Sequence, residues 1–248
     1  MPLFVIRGMS RLPLFVLPMV LLPGEVQELR VFEPRYRQML DDCLLDGLNF
    51  GLVLNDESKS VNHWDGPMIY GCEAEIIHHE TKGSNHFLQI IGRRRFKINE
   101  IFEPALPPFD HPLLEGLVSS DGVDPDLETI IQQIPEDVEN TKLYISADVE
   151  YMDSPVESTM EQQSEMRSLV ESVLNRIGMI LNLDGDLLFQ WVNTSPIMEV
   201  IDENPNSVYS VSSLLVDDLE TRQKILSHSN IDEIIAQLNL IFSSFEEE

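Results

Sequence analysis

The chain has 248 residues, enough for one large domain or two modest ones with a well-buried core. Its formal net charge is −27, unevenly divided: residues 1–102 carry 13 acidic and 11 basic side chains, residues 103–248 carry 30 and 5. A field of that sign repels phosphate backbones and argues against nucleic-acid binding. Outside the proline-broken opening no apolar run is long enough to span a membrane.

The opening stretch, Leu12 to Leu40, reads LPLFVLPMVLLPGEVQELRVFEPRYRQML. Pro13, Pro18 and Pro23 lack amide donors, so the run between them is expected to be extended edge segments rather than a helix or a central strand. These prolines, and the lack of a small-residue cleavage site, argue against a secretory signal despite Arg7 and Arg11. Pro23-Gly24 signals a turn, and the alternation from Val26 to Val31 predicts a strand. Pro34 suits a first helical position, Tyr36, Met39, Leu40, Cys43 and Leu44 form an apolar stripe, and Gly47 supplies a stop.

Phe50–Leu54, FGLVL, reads as a buried strand. Asp65-Gly66-Pro67 punctuates the chain before MIYGCEAEIIHHE, where Cys72, Ala74 and Ile76 alternate with Glu73 and Glu75. The turn Thr81–Asn85 returns the chain as HFLQIIGRRRFKINEI, a hairpin partner. Residues 103–142 hold six of the fifteen prolines and scattered acids, and read as an inserted, partly ordered excursion with one short helix near Asp126 to Gln133. Leu143 to Met152 regains strand character and completes the sheet.

After Ser158 the pattern turns helical. Met166, Leu169, Val170, Val173, Leu174 and Ile177 lie on one stripe, with Gly178 and Asp184-Gly185 limiting its length. Asp217 or Asp218 caps a second helix, and Asn230 with Glu233 opens a third. Strands followed by helices predict an α+β chain: a small antiparallel β-barrel or pseudo-barrel over 1–155, then an acidic α-helical subdomain over 156–248.

Taken in order, the proline-punctuated opening with FEPRY, then FGLVL, GCEAEI, a hairpin turn and IIGRRRFKI, resemble the N-terminal, substrate-binding domain of the Lon family of ATP-dependent proteases. ADVEYMD and LLVDDLETRQKIL resemble later parts of that domain. The resemblance implies a PUA-like barrel and a non-catalytic module that binds unfolded or extended polypeptides or serves as an adaptor, with no cofactor. None of the five lysines sits in a phosphate-binding GxxxxGK[ST] loop, so a stand-alone domain is expected. It leaves room for an ATPase or protease partner in trans and fixes no oligomeric state. The expected location is cytoplasmic, with an organellar one open.

The candidate partner-contacting residues are Phe32, Arg35 and Tyr36 around the start of the first helix, and Arg93 and Arg95 in the one basic cluster. Alternation there puts Arg93, Arg95 and Lys97 outward and Arg94 inward against a carboxylate. A competing reading is a small metal-dependent hydrolase with its site on the 72–86 hairpin. Cys72 and His78 lie too far apart along a strand to share an ion, and His79 with His86 supplies two ligands where zinc takes three or four. Both cysteines read as small buried hydrophobes.

Overall fold

The computed structural model describes residues 11–83, 85–114, 117, 125–136, 138, 140–152, 158–203 and 207–246. Arg7 and the expected 155/156 boundary lie outside them. The chain forms two compact units, one comprising residues 1–21 and 26–152, the other residues 22–25 and 153–248.

The first unit contains β1 (Leu12–Leu17), β2 (Val26–Val31), α1 (Pro34–Asp46), β3 (Phe50–Val61), β4 (Trp64–Lys82), β5 (Asn85–Phe102), α2 (Leu127–Ile131) and β6 (Ser146–Tyr151). The sheet order is β2-β5-β4-β3-β1-β6, and a β5–β6 pairing closes a ring. All pairs are antiparallel except β1–β3. The long β5 shares one edge between two partners: β2 along His86–Ile91 and β6 along Phe96–Phe102.

The edge expectation for the proline run is corrected by this topology. β1 lies between β3 and β6. Pro13 lies inside β1, paired with Ser146 of β6, one residue before pairing with β3 begins at Leu14, and Pro18 falls just past the strand end at Leu17, so neither proline interrupts the β1–β3 ladder. Beyond its short pairing with β6, β1 is covered by α1: the buried Tyr36 hydroxyl donates to Val16 O at 2.8 Å, and its ring lies 4.2 Å from that of Phe15. Pro34 begins α1, and Gly47 (φ 63°) ends it in the left-handed conformation expected of a C-terminal glycine.

The barrel interior is filled by Leu12, Leu14, Val16, Val53, Phe96 and Ile98 with their neighbours. Two strand glycines make room for Phe96: a Cβ on Gly51 or Gly71 would lie 2.6 or 2.5 Å from its ring. Burying a phenylalanine contributes about 1.5–3 kcal/mol, so the glycines are kept for packing. β3 and β4 meet in a tight turn in which Asn62 (φ 46°) and His63 (φ 68°) both have positive φ. The turn therefore comes earlier than Asp65-Gly66-Pro67, which lies inside β4.

The excursion packs more than its composition suggests. Asp126 caps α2 by accepting from Thr129 N at 2.8 Å, and Ala105, Leu106, Leu114, Ile130 and Leu143 form a second small core. Its return limb is bolted to α1: Lys142 Nζ and Tyr144 Oη both donate to Asp42 at 2.7 Å, and Leu143 N donates to Gln38 at 2.7 Å.

The second unit is helical: α3 (Met160–Ile180), α4 (Gly185–Asn193), α5 (Pro196–Glu203), α6 (Ser207–Leu215), α7 (Leu219–Ser227) and α8 (Ile231–Glu246). A capping box between Thr159 and Gln162 opens α3, Asp184 opens α4 and Asp218 opens α7. Asn230 accepts from Glu233 N at 2.9 Å ahead of α8. Gly178 lies inside α3, where a Cβ would meet Leu188 Cδ1 of α4 at 2.2 Å, so it serves close helix packing as well as the nearby stop. The segment 22–25 belongs to this unit through Glu25, whose buried carboxylate accepts from Leu22 N and from Arg222. Arg222 also donates to Val216 O at 3.1 Å. The helices α4, α5 and α6 are absent from the periodicity reading because each spans only eight or nine residues. No described helix is long and apolar enough to cross a membrane.

Candidate functional site

Two features of the first unit can engage another molecule. The first is the β2–β5–β4 sheet. β2 pairs with β5 from Val26↔Ile91 to Val31↔His86, and no strand among the described residues pairs with its other edge. Val26, Glu28 and Arg30 are exposed along it. Glu28, Arg30, His78, Glu80, Lys82 and Phe87 border a shallow groove of about 460 Å³. Arg30 is held by two bonds to Asn85 Oδ1, at 2.9 and 3.1 Å. Phe32, more than half exposed, lies just beyond the strand, with the Arg30 guanidinium 5.7 Å from its ring.

The second feature is a compact apolar cleft of about 110 Å³ where the start of α1, the β3–β4 hairpin and the excursion converge. Pro34, Trp64, Leu106, Pro107 and Phe109 line it above Ile130 and Leu143. Hydrogen bonds hold its walls: Trp64 Nε1 to Leu106 O at 2.9 Å and Asn62 Nδ2 to Pro104 O at 2.8 Å. Arg35 lies against both aromatic neighbours, 3.7 Å from the Trp64 ring and 4.2 Å from that of Tyr36, and its Nε donates to Glu33 at 2.9 Å.

Of the five expected contact residues, Phe32 and Arg93 are exposed and Arg35 borders the cleft. Tyr36 and Arg95 require correction, because both are buried and present no surface to a partner. Tyr36 is committed to β1, and burial pushes its phenol well above the ordinary range despite the nearby Arg35. Arg95 lies on the face of β5 opposite to Phe96, which lines the barrel interior, and is covered there, only 3% exposed; the β4–β5 register shifts between Cys72↔Arg95 and Ala74↔Gly92, leaving Arg93 and Arg94 both opposite Glu73. Such a bulge breaks the two-residue alternation across Arg93 and Arg94.

Arg94, expected inside, is half exposed and makes a two-pronged pair with the buried Glu73, at 2.8 and 3.1 Å, while Tyr151 Oη donates to the same carboxylate at 3.0 Å. Burial alone would raise the Glu73 pKa, but the Arg94 and Tyr151 hydrogen bonds and the Arg94 charge outweigh it and hold it below the usual range. Arg93 pairs with Glu75 at 2.6 Å on the exposed face. Arg93 and Arg94 are thus neutralised by carboxylates on β4.

The histidine hairpin offers two ligands, as its spacing predicts. His79 Nε2 and His86 Nδ1 are 3.1 Å apart, with Thr81 Oγ1 within 3.3 Å of both. His63 turns elsewhere, its ring 4.3 Å from that of His111. Among the described residues no three His, Cys, Asp or Glu side chains gather to hold a metal ion. Cys43 and Cys72 are buried, and burial with the charges of Asp42 and Asp46 pushes the Cys43 thiol up to about 12.

Sequence reasoning missed the cleft. Trp64 is masked by the neighbouring Asp-Gly-Pro signal, and the cleft's other walls are brought together from segments about thirty to eighty residues away. The one available hint was the rigid Pro104–Pro108 run beside a region otherwise read as irregular.

The solved structures similar to this chain include a Lon N-terminal domain protein from Xanthomonas campestris, 22% identical with a TM-score of 0.56, covering 93% of this chain and 98% of that one. They also include the N-terminal domain of the Mycobacterium avium complex Lon protease, 13% identical with a TM-score of 0.56, covering 92% and 96%. At these identities the likeness is one of fold. No curated protein matches the sequence. Residues 11–242 match the family described as the ATP-dependent protease La (LON) substrate-binding domain. Spanning both the barrel and the helices, that match establishes that the chain belongs to the Lon substrate-binding domain family.

Proposed function

We propose that this chain is a recognition module that captures extended or unfolded polypeptide segments by strand addition along β2. The observation that carries the reading is the edge of β2 left without a strand partner among the described residues, next to an open groove. Backbone N–H and C=O groups on such an edge bind any extended main chain, and alternate side chains of the guest fall into the groove. Glu28 and Arg30 on the exposed row discourage pairing between two copies of the edge while leaving its backbone accessible. Family membership supports the same role, and the strongly acidic second half disfavours nucleic acid as the guest. An ATPase or peptidase acting in trans would receive the captured segment.

The test is binding of a reduced, carboxymethylated protein compared with its folded form and with an inert acidic protein. Preferential retention of the unfolded form is expected, and equal recovery of all three defeats the reading. Peptides methylated at alternate backbone nitrogens sharpen it. Methyl groups on the edge facing β2 should abolish binding, whereas the complementary pattern should leave it intact.

A further inference from the structure

We infer that the Trp64 cleft is a side-chain subsite that seats one leucine-sized apolar residue flanked by lysine or arginine in an extended guest. The inference rests on the polypeptide-recognition reading above and adds to it a sequence preference that a bare strand edge does not possess.

Size sets the apolar part. A cavity of about 150 Å³ lined by aliphatic and aromatic side chains accepts benzene. This cleft, at about 110 Å³, suits a branched aliphatic group better than a ring. It is also pre-formed. Trp64 is tied to Leu106 O, Asn62 is tied to Pro104 O, and the Arg35 guanidinium packs against the Trp64 ring, so little ordering remains for the guest to impose.

Charge sets the flanks. Arg35, the one cation among the described residues that line the cleft, has a side chain only 16% exposed and is neutralised by Glu33, which is 37% exposed. Asp65 and Asp110, next in sequence to Trp64 and Phe109, are both exposed. The described residues of 103–142 carry five acidic side chains and one basic one. The field around the cleft is therefore negative and favours a guest with basic residues beside its apolar anchor. The same field, with the chain's total of −27, disfavours a second copy as occupant.

Trp64 reports occupancy directly, since the chain has two tryptophans and Trp191→Phe leaves Trp64 as the sole indole. With that full-length protein, fluorescence titration uses twelve-residue Gly/Ser peptides carrying a central Lys-Leu-Lys, Lys-Ser-Lys or Glu-Leu-Glu. The Lys-Leu-Lys peptide should bind at least ~10-fold more tightly than either control, the scale on which apolar pockets discriminate. Glu33→Lys should weaken that peptide while sparing Glu-Leu-Glu, and Phe109→Ala, by widening the cleft, should move the preference from Leu to Phe. Circular dichroism checks that each variant is folded.

Equal binding of the Leu and Ser peptides, or affinities indifferent to both variants, overturns the subsite. A Trp64 signal that depends on protein concentration alone identifies a second copy as the occupant and overturns it too. Retention of the carboxymethylated protein is measured in parallel. If it persists without peptide discrimination, only the subsite falls; if it is absent from the parent protein, the broader reading falls as well.

Discussion

Charged side chains serve different ends in the two units. In the barrel unit they pair across elements: Arg93 with Glu75, Arg94 with Glu73, and Lys142 with Asp42. Among residues 153–248 the sequence holds 18 acids and four cations; Arg167 pairs with Glu171 and Lys224 with Glu220 within single helices, and several polar groups cap helices: Thr159, Asp184 and Asp218 each accept from the first turn that follows. The exception to these pairs within a helix is Arg222, buried against the distant Glu25. The difference shows that the acidity of the second half is more than a solubilising coat. Part of it starts helices, and one cation binds a distant stretch of chain into the same unit.

The largest expected effect comes from removing that exception. Arg222→Ala takes the counter-charge from a buried carboxylate and should cost about 3–5 kcal/mol, read by denaturant unfolding of the full chain. A loss below about 1 kcal/mol, the value of a solvated pair, would place Glu25 in the same class as the exposed carboxylates. Next is the barrel's own buried polar contact. Tyr36→Phe keeps the ring but removes the donor to Val16 O, and should cost about 1–3 kcal/mol. If stability is unchanged, α1 covers β1 by packing alone.

Thr159→Ala removes one side of the capping box on α3 and should cost about 1 kcal/mol, seen as a lower thermal midpoint. The smallest effect is pH-dependent and belongs to the barrel unit. Burial and the neighbouring His79 hold the His86 imidazole below its ordinary value. The unfolded chain therefore takes up the proton first as pH falls below about 6.5, so this contribution is complete above that pH and is lost as pH falls toward the depressed value. Amide protection factors in the 79–86 hairpin, taken against the intrinsic exchange rate at each pH, should fall between pH 7.5 and 5.5, and His86→Gln should flatten the change. In the helical unit Asp218 and Glu233 are depressed by hydrogen bonds from the helix starts they serve, so their contribution is lost only in the lower, carboxylate range.

Much of the architecture follows from local pattern, and each success has a local cause. The stripe from Tyr36 to Cys43 is buried, Gly47 ends the helix, the Thr81–Asn85 turn joins β4 to β5, and Asp218 caps α7. In each case the deciding atoms lie within one or two turns of chain. The order of those pieces was also enough to suggest the family.

Tertiary structure decided what depends on partners distant in sequence. Whether β1 is an edge or a central strand turns on where β3 and β6 stop relative to Pro13 and Pro18, which no property of the proline run contains. Arg93 and Arg94 stand opposite a single residue of β4 because of a register shift, and Arg95 is buried on the face away from Phe96. The cleft exists only where residues 33–35, 64, 106–109, 130 and 143 converge. Periodicity reports which side of its own element a residue occupies; the element it meets there is set by long-range packing and register, which short stretches of sequence leave undetermined.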